Sequence, residues 1–205
     1  NNQSFTNLYA SKIGLDNNLE APKRFDNKIN SKFHESTPVF TKDGKTMYFT
    51  RNNFLNGKRG KDSKSVTLLK MYKSTLVDGQ WANIAELPFN SDNYSVAHPA
   101  LSLDEKTLYF ASDMPGTLGQ SDLFKVTINE NGTYSTPENL GAKINTEGRE
   151  TFPTISAENE LYFASDGRPG LGGLDIYVTR LDENQNIGEI QNIGEPVNSP
   201  KDDFA

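Results

Sequence analysis

The sequence predicts an all-β protein built from repeated four-stranded units. Three observations support this fold class: a motif that recurs along the chain, short runs of strand-forming residues, and turn residues between those runs. In each copy of the motif a proline precedes a Tyr-Phe pair. The prolines are Pro38, Pro99 and Pro153, separated by 61 and 54 residues, and the pairs begin at Tyr48, Tyr109 and Tyr162. We therefore expect the three tyrosines to occupy equivalent positions in three structural repeats.

Each repeat divides into four short runs, which in the middle unit cover about 97–102, 107–112, 122–128 and 134–140. The runs are rich in Tyr, Phe, Leu, Ile, Val and Thr, which favour strands. Asp, Asn, Glu and Gly stand between them, as turns require. No long segment shows a helical apolar period. Four strands in each unit of 53 to 61 residues predict the blades of a β-propeller.

The whole chain, 1–205, is interpreted as one β-propeller segment. The predicted divisions are the outer half of a blade at 1–29, complete blades at 30–89, 90–144 and 145–197, and the start of a further blade at 198–205. An open arc would expose apolar faces and strand edges, so we expect a larger ring of about six blades. The alternative is a four-bladed ring closed by pairing the two ends, although its last blade would lack a second strand.

Composition narrows the classes of function. The 205 residues carry a formal net charge of -6 with both signs spread along the chain, which argues against nucleic acid as a partner. There is no Cys and there are only two His, so thiol chemistry is excluded and a His-rich metal site is not expected. We expect no cofactor, no metal and no membrane span. The first residues contain neither an initiator Met nor the features of a signal peptide, so we interpret the chain as a mature or excised segment.

A pair of aspartates recurs in two of the repeats. Asp113 and Asp122 are nine residues apart, as are Asp166 and Asp175. Carboxylates can bind hard cations, but they can also accept backbone N–H bonds and fix a loop. Because architectural roles repeat between blades and active sites usually do not, we predict structural roles for all four. In the first repeat Asn52 and Lys70 stand near these positions, so a cation site would be absent there.

No set of catalytic residues is evident. His34 and His98 occupy different positions in their repeats. His98 directly precedes Pro99, where the other units have Thr37 and Phe152. We expect His98 to face a blade interior or the mouth of the channel, and we nominate no catalytic, cofactor-binding or metal-binding residue.

The first repeat contains a basic insertion at 56–64, which accounts for the longer spacing of the first two prolines. Its cations are Lys58, Arg59, Lys61 and Lys64. One interpretation is a docking loop for an acidic partner or an anionic surface. The other is a solvated connection without a binding role.

The motif from Pro99 through Asp113, followed by Gly119-Gln120-Ser121-Asp122-Leu123-Phe124, resembles the WD40-like Tol-B-type repeat, called PD40. The first turn departs from the usual Ser-Pro-Asp-Gly, as in Ser102-Leu103-Asp104-Glu105. The Asn139-Leu140-Gly141 and Ile144-Asn145 closure resembles the propellers of OmpA-family envelope proteins of Bacteroidetes-type bacteria. Such propellers imply a periplasmic, outer-membrane-associated scaffold, including in type IX secretion.

From the repeats, the lack of a catalytic set and this resemblance, we expect a non-enzymatic module that binds other cell-envelope proteins. Peptidoglycan would be reached only through a flanking domain that is not in this sequence. The alternatives are the propeller of a hydrolase or peptidase, and a TolB-like translocation propeller. A glycosidase propeller would need acidic residues that converge at the channel and differ between blades.

Overall fold

The structure, a computed structural model, describes residues 5–204. Within that range the chain forms strands and no helix, and therefore no helix that could cross a membrane. The strands are β1 (Tyr9–Ala10), β2 (Lys23–Arg24), β3 (Glu35–Phe40), β4 (Thr46–Asn52), β5 (Phe54–Leu55), β6 (Lys58–Arg59), β7 (Leu69–Val77), β8 (Gln80–Glu86), β9 (Val96–Leu101), β10 (Thr107–Ser112), β11 (Asp122–Thr127), β12 (Glu138–Asn139), β13 (Glu150–Ile155), β14 (Glu160–Ser165), β15 (Asp175–Leu181) and β16 (Ile187–Asn192). The all-β prediction is confirmed; its outermost residues, 1–4 and 205, lie outside the described range.

Three four-stranded antiparallel sheets follow one another along the chain, in the orders β3-β4-β7-β8, β9-β10-β11-β12 and β13-β14-β15-β16. Each is an up-and-down meander, which is the architecture of a propeller blade. Tyr48, Tyr109 and Tyr162 occupy equivalent positions on the second strands, opposite Val39, Ala100 and Thr154 of the first strands. Within residues 5–204, β1 pairs with β2 alone, so the two ends do not pair as the four-bladed alternative requires.

A buried asparagine links each unit to the next. The side chain of Asn145 accepts a bond from the Leu123 N–H at 2.8 Å and donates one to the Leu123 carbonyl at 3.0 Å. The same two hydrogen bonds join three further pairs: Asn30 with Leu8, Asn90 with Met71, and Asn198 with Ile176. In the three four-stranded sheets, each amide therefore satisfies both backbone groups of one third-strand residue, which a buried strand needs, whereas Leu8 directly precedes β1. The repeated Ile-Asn closure of the sequence has this physical cause.

The hydrophobic cores lie between neighbouring sheets. One core joins Tyr48 and Met71 of the first four-stranded sheet to Phe110 and Phe124 of the second. Another joins the second sheet to the third, and a third packs the β1–β2 unit against the first sheet. Because the first and second four-stranded sheets each pack against a neighbour on both faces, short strands with few apolar residues suffice to bury their large aromatic side chains.

Two local features differ from the sequence-based expectation. The fourth run of the middle unit, expected at 134–140, forms only the two-residue β12, since Pro137 has no N–H to donate to a ladder. The basic insertion is not an irregular loop throughout. Its first residues form the turn and second strand of the hairpin β5–β6, with Asn56 at φ 49° and Gly57 at φ 78°. An Asn-Gly pair is the turn that such a two-residue hairpin favours.

Candidate functional site

The first strands of the three four-stranded sheets, β3, β9 and β13, form the inner wall of the arc, where β9 packs against both of the others. Each strand bulges at the residue before its proline. The bulged residues are Thr37, His98 and Phe152, with φ of 44°, 58° and 48°. The register against the second strand shifts at each of these points. Left-handed backbone at a bulky residue is costly and is concentrated at functional sites, and bulges re-aim side chains.

Two of the bulged residues, His98 and Phe152, form a row of rings together with Phe204. The His98 and Phe152 rings stack with centroids 3.8 Å apart and planes at 13°. The Phe204 ring stacks on the other side of Phe152 at 4.8 Å and 17°. The row therefore crosses from the second unit to the third and on to the residues that follow it. The sequence led us to expect His98 to face a blade interior or the mouth of the channel, but it predicted neither the stack nor the contribution of Phe204.

Hydrogen bonds hold the wall together across the units. The His98 N–H donates to Thr50 Oγ1 at 2.8 Å, and Thr50 Oγ1 lies 2.8 Å from Thr37 Oγ1. The His98 Nδ1 lies 2.6 Å from Thr151 Oγ1. Burial of the imidazole lowers the pKa of His98 to about 4. His98 is therefore a neutral ring at pH 7, suited to stacking and to a hydrogen bond.

A cavity of about 270 Å³ opens on this inner wall. It is lined by residues 37–39, 98–101 and 152–155, and we call it the channel pocket. Prolines and aliphatic side chains form most of its surface, beside the His98–Phe152 stack. The volume suits one group of side-chain size, because pockets for complete drug-sized ligands begin near 300 Å³.

The channel pocket has no carboxylate among its lining residues. The two acidic residues of the inner strands, Glu35 and Glu150, are buried. Glu35 Oε1 lies 3.0 Å from Arg51 Nε, and Glu150 accepts bonds from the Thr146 backbone and hydroxyl and from Ser165 Oγ. Both carboxylates are therefore engaged by groups of the blades, and neither lines the pocket.

The four repeated aspartates lie at loop and strand boundaries. Asp122 accepts bonds from the Leu118 N–H at 2.8 Å and from Asn139 Nδ2 at 2.6 Å. Asp175 accepts the N–H groups of Leu171 and Gly172. Asp113 and Asp166 accept the N–H groups that precede the first strands, from Ser95 and Arg149. These are the contacts that a structural role requires. Within residues 5–204 no group of three or more His, Asp or Glu is arranged to hold a metal ion.

The first blade replaces this arrangement with an ion pair. Lys70 occupies the place of Asp122, and its Nζ lies 3.0 Å from Glu86 and 2.8 Å from Asp92. Burial opposes the charge on Lys70, but the two carboxylates outweigh it and raise its pKa. Glu86 pairs with Tyr72 in the ladder as Asn139 pairs with Phe124. An Asp–Asn hydrogen bond and a Lys–Glu ion pair therefore fill equivalent places.

The basic insertion follows the end of β4. Lys58 and Arg59 form β6, and Lys61 and Lys64 follow it on an exposed connection. Arg59 Nε donates to Thr67 Oγ1 at 2.5 Å. None of the four contributes to the channel pocket.

No protein-family model matches the chain, and no curated protein matches it. Solved structures match its fold. The alpha-L-arabinofuranosidase from Lactobacillus brevis has a TM-score of 0.55 and 14% identity, over 86% of this chain and 61% of that one. A puromycin-hydrolyzing peptidase of Mycobacterium tuberculosis has a TM-score of 0.51 and 15% identity, over 87% and 24%. A thermostable family-43 glycoside hydrolase has a TM-score of 0.50 and 11% identity, over 96% and 73%.

These neighbours correct one expectation. The sequence led us to expect a non-enzymatic module, but the solved structures that share the fold are mostly enzymes. The inference failed because it took the lack of a catalytic set in this chain to describe the whole protein, whereas the chain spans only about a quarter of the peptidase. At these identities the likeness establishes the fold alone. The chain is a β-propeller segment of four-stranded blades.

Proposed function

We propose that this chain is the substrate-binding propeller of a hydrolase and that the channel pocket holds an apolar group of the substrate. One observation carries the proposal. The same bulged position of three successive inner strands holds Thr37, His98 and Phe152, while the surrounding architecture repeats. Repetition suits structural roles, so a position that faces the pocket and differs between blades is a candidate for recognition. The fold neighbours include a peptidase and glycoside hydrolases, which supports the enzyme class.

The chemistry of the pocket favours a peptide over a sugar. Glycoside hydrolysis needs two carboxylates that flank the scissile bond, and no carboxylate lines the channel pocket. A surface of prolines and aliphatic side chains beside a neutral ring stack suits an apolar side chain, whose burial stabilises the complex by roughly 1.5–3 kcal/mol. In this proposal the hydrolytic groups belong to a domain that faces the propeller.

The periplasm and other envelope proteins remain the proposed setting, on the sequence resemblance alone. Membership of an OmpA-family assembly or a type IX secretion machine is not supported by the structural neighbours. A hydrolase in the periplasm would satisfy both the resemblance and the enzyme class.

The test is a panel of chromogenic substrates, comprising aminoacyl anilides with apolar and charged side chains and nitrophenyl glycosides. The protein that contains this chain should hydrolyse the apolar anilides. Phe152→Ala should raise their KM about tenfold with a smaller change in kcat, because the lost contact serves ground-state binding. Phe152→Tyr keeps the ring and should restore KM. Hydrolysis of glycosides alone, or of no substrate in the panel, would contradict the proposal.

A further inference from the structure

A second surface lies at the basic insertion, away from the channel pocket. We define the basic–aromatic patch as Lys32, Phe33, Phe54, Lys58 and Arg59. The Phe33 and Phe54 rings are 4.9 Å apart. Lys32 Nζ lies 5.8 Å and 5.7 Å from their centroids, and Arg59 Cζ lies 5.3 Å from the Phe33 centroid. Cation–π attraction to the two rings therefore favours the close approach of Lys32, which precedes β3, and Arg59, which lies in β6.

The patch carries positive charge that the described part of the chain does not neutralise. Within residues 5–204 none of its three cations, nor Lys61 or Lys64 beside them, forms an ion pair. The acid of the insertion, Asp62, directs its Oδ1 to the N–H groups of Lys64 and Val66, at 2.9 Å and 2.7 Å. Its carboxylate orders the loop instead of pairing with a cation.

Arg59 has the geometry of a carboxylate receptor. Its Nε is fixed by Thr67 Oγ1. Neither of its Nη groups has a hydrogen-bond acceptor in residues 5–204. A guanidinium of this kind presents parallel N–H donors that match the two oxygens of a carboxylate. Because β6 holds its backbone and Phe33 its side chain, less conformational entropy is lost when it binds.

We infer that the basic–aromatic patch binds an acidic segment of another protein, with one carboxylate on the guanidinium of Arg59. Cations lie over the Phe33 and Phe54 rings, which makes the rings poor platforms for stacking nucleic-acid bases. A net charge of -6 opposes the approach of a long polyanion or an anionic membrane. A short acidic segment can reach the cations of the patch directly, while the neighbouring Glu86 and Asp92 are paired with Lys70. The inference does not depend on the hydrolase proposal, since the two surfaces share no residue.

The probe is a fluorescent peptide of alternating Glu and Ser, and its control has Gln in place of Glu. Anisotropy titrations with the 205-residue chain should show binding of the Glu peptide alone, and the affinity should fall as salt is raised. Lys58→Glu with Arg59→Glu should weaken binding at least tenfold. Arg59→Lys keeps the positive charge but loses the parallel N–H donors of the guanidinium, so it should weaken binding about threefold.

The matched control is Lys45→Glu with Lys106→Glu, which changes the net charge equally at two exposed lysines outside the patch. It should leave the affinity unchanged within about twofold, and circular dichroism should show every variant folded. The inference is overturned if the Gln peptide binds as well as the Glu peptide, or if the control weakens binding as much as the patch variant. Tighter binding of single-stranded DNA or of phosphatidylglycerol vesicles than of the peptide would assign the patch to another class of ligand.

Discussion

Asp122 shows how one buried carboxylate can organise a blade. It is fully buried and accepts bonds from the Leu118 and Gly119 N–H groups and from Asn139. Asp122→Asn turns one accepting oxygen into a donor that faces other donors. We expect the free energy of unfolding to fall by roughly 1–2 kcal/mol, measured by urea denaturation.

Asp175→Asn should lower stability by a similar amount, because Asp175 makes equivalent loop contacts. Glu130→Gln, at an exposed site, should leave stability unchanged within about 0.5 kcal/mol. Calcium should not raise the melting temperature of the parent chain. Stabilisation by calcium that Asp122→Asn abolishes would show instead that Asp113 and Asp122 hold a cation.

His98 should make stability depend on pH. Burial lowers its folded-state pKa from the usual 6.5 to about 4. The unfolded chain therefore binds a proton that the folded chain excludes. The stabilising contribution is complete above pH 6.5 and is lost as the pH falls towards 4, by up to about 3 kcal/mol.

His98→Phe keeps a ring against Phe152 but does not titrate, so it provides the control. The free energy of unfolding of the parent chain should fall more steeply than that of His98→Phe between pH 6.5 and 4. Parallel pH profiles for the two proteins would mean that the imidazole is not buried in its neutral form.

Among the strand elements, an equivalent contact between the third and fourth strands is made by different side chains in the first and second blades. Lys70 with Glu86 joins the third and fourth strands of one blade, and Asp122 with Asn139 joins those of the other. Lys70→Asp alone would place a buried carboxylate beside Glu86 and Asp92. We expect a loss of about 1–3 kcal/mol, less than for a fully buried pair because Glu86 and Asp92 are partly exposed.

Adding Glu86→Asn to Lys70→Asp recreates the pair of the second blade and should recover a measurable part of that loss. A double-mutant cycle by urea denaturation measures the coupling between the two sites. Additive effects would show that the two blades do not share this equivalent contact.

The strand elements also show what the sequence can predict. The spacings of the proline, Tyr-Phe and Ile-Asn motifs identified the blades because each motif marks a recurring structural feature. The proline follows a bulge, the Tyr-Phe pair lies in the second strand, and the asparagine side chain forms hydrogen bonds to the third strand. The β5–β6 hairpin was missed although Asn56-Gly57 is a strong turn signal, because the insertion interrupts the repeat and was interpreted by its charge. The stack of His98, Phe152 and Phe204 could not be predicted, since it joins residues of different blades through three-dimensional packing.

At the scale of the whole molecule, stability depends on how the blades meet, and so does the recognition that we propose. Every core lies between two sheets, and hydroxyl contacts cross the same boundaries, from Tyr134 to Tyr48 at 3.2 Å and from Tyr109 to Gln185 at 2.8 Å. The same packing sets the inner strands side by side and creates the channel pocket. Residues that are distant in sequence therefore share one surface that only the assembled blades provide.

The central claim is that this shared inner surface binds an apolar group of a peptide substrate. The most direct test is to titrate the 205-residue chain with a hydrolysis-resistant peptide bearing a leucine or phenylalanine side chain and to follow backbone amide and His98 ring signals by NMR. We predict saturable shifts concentrated at 37–39, 98–101 and 152–155, together with the His98 ring, and weaker binding of the same peptide to Phe152→Ala. Shifts confined to other surfaces, or no saturable shift while the chain remains folded, would contradict the account.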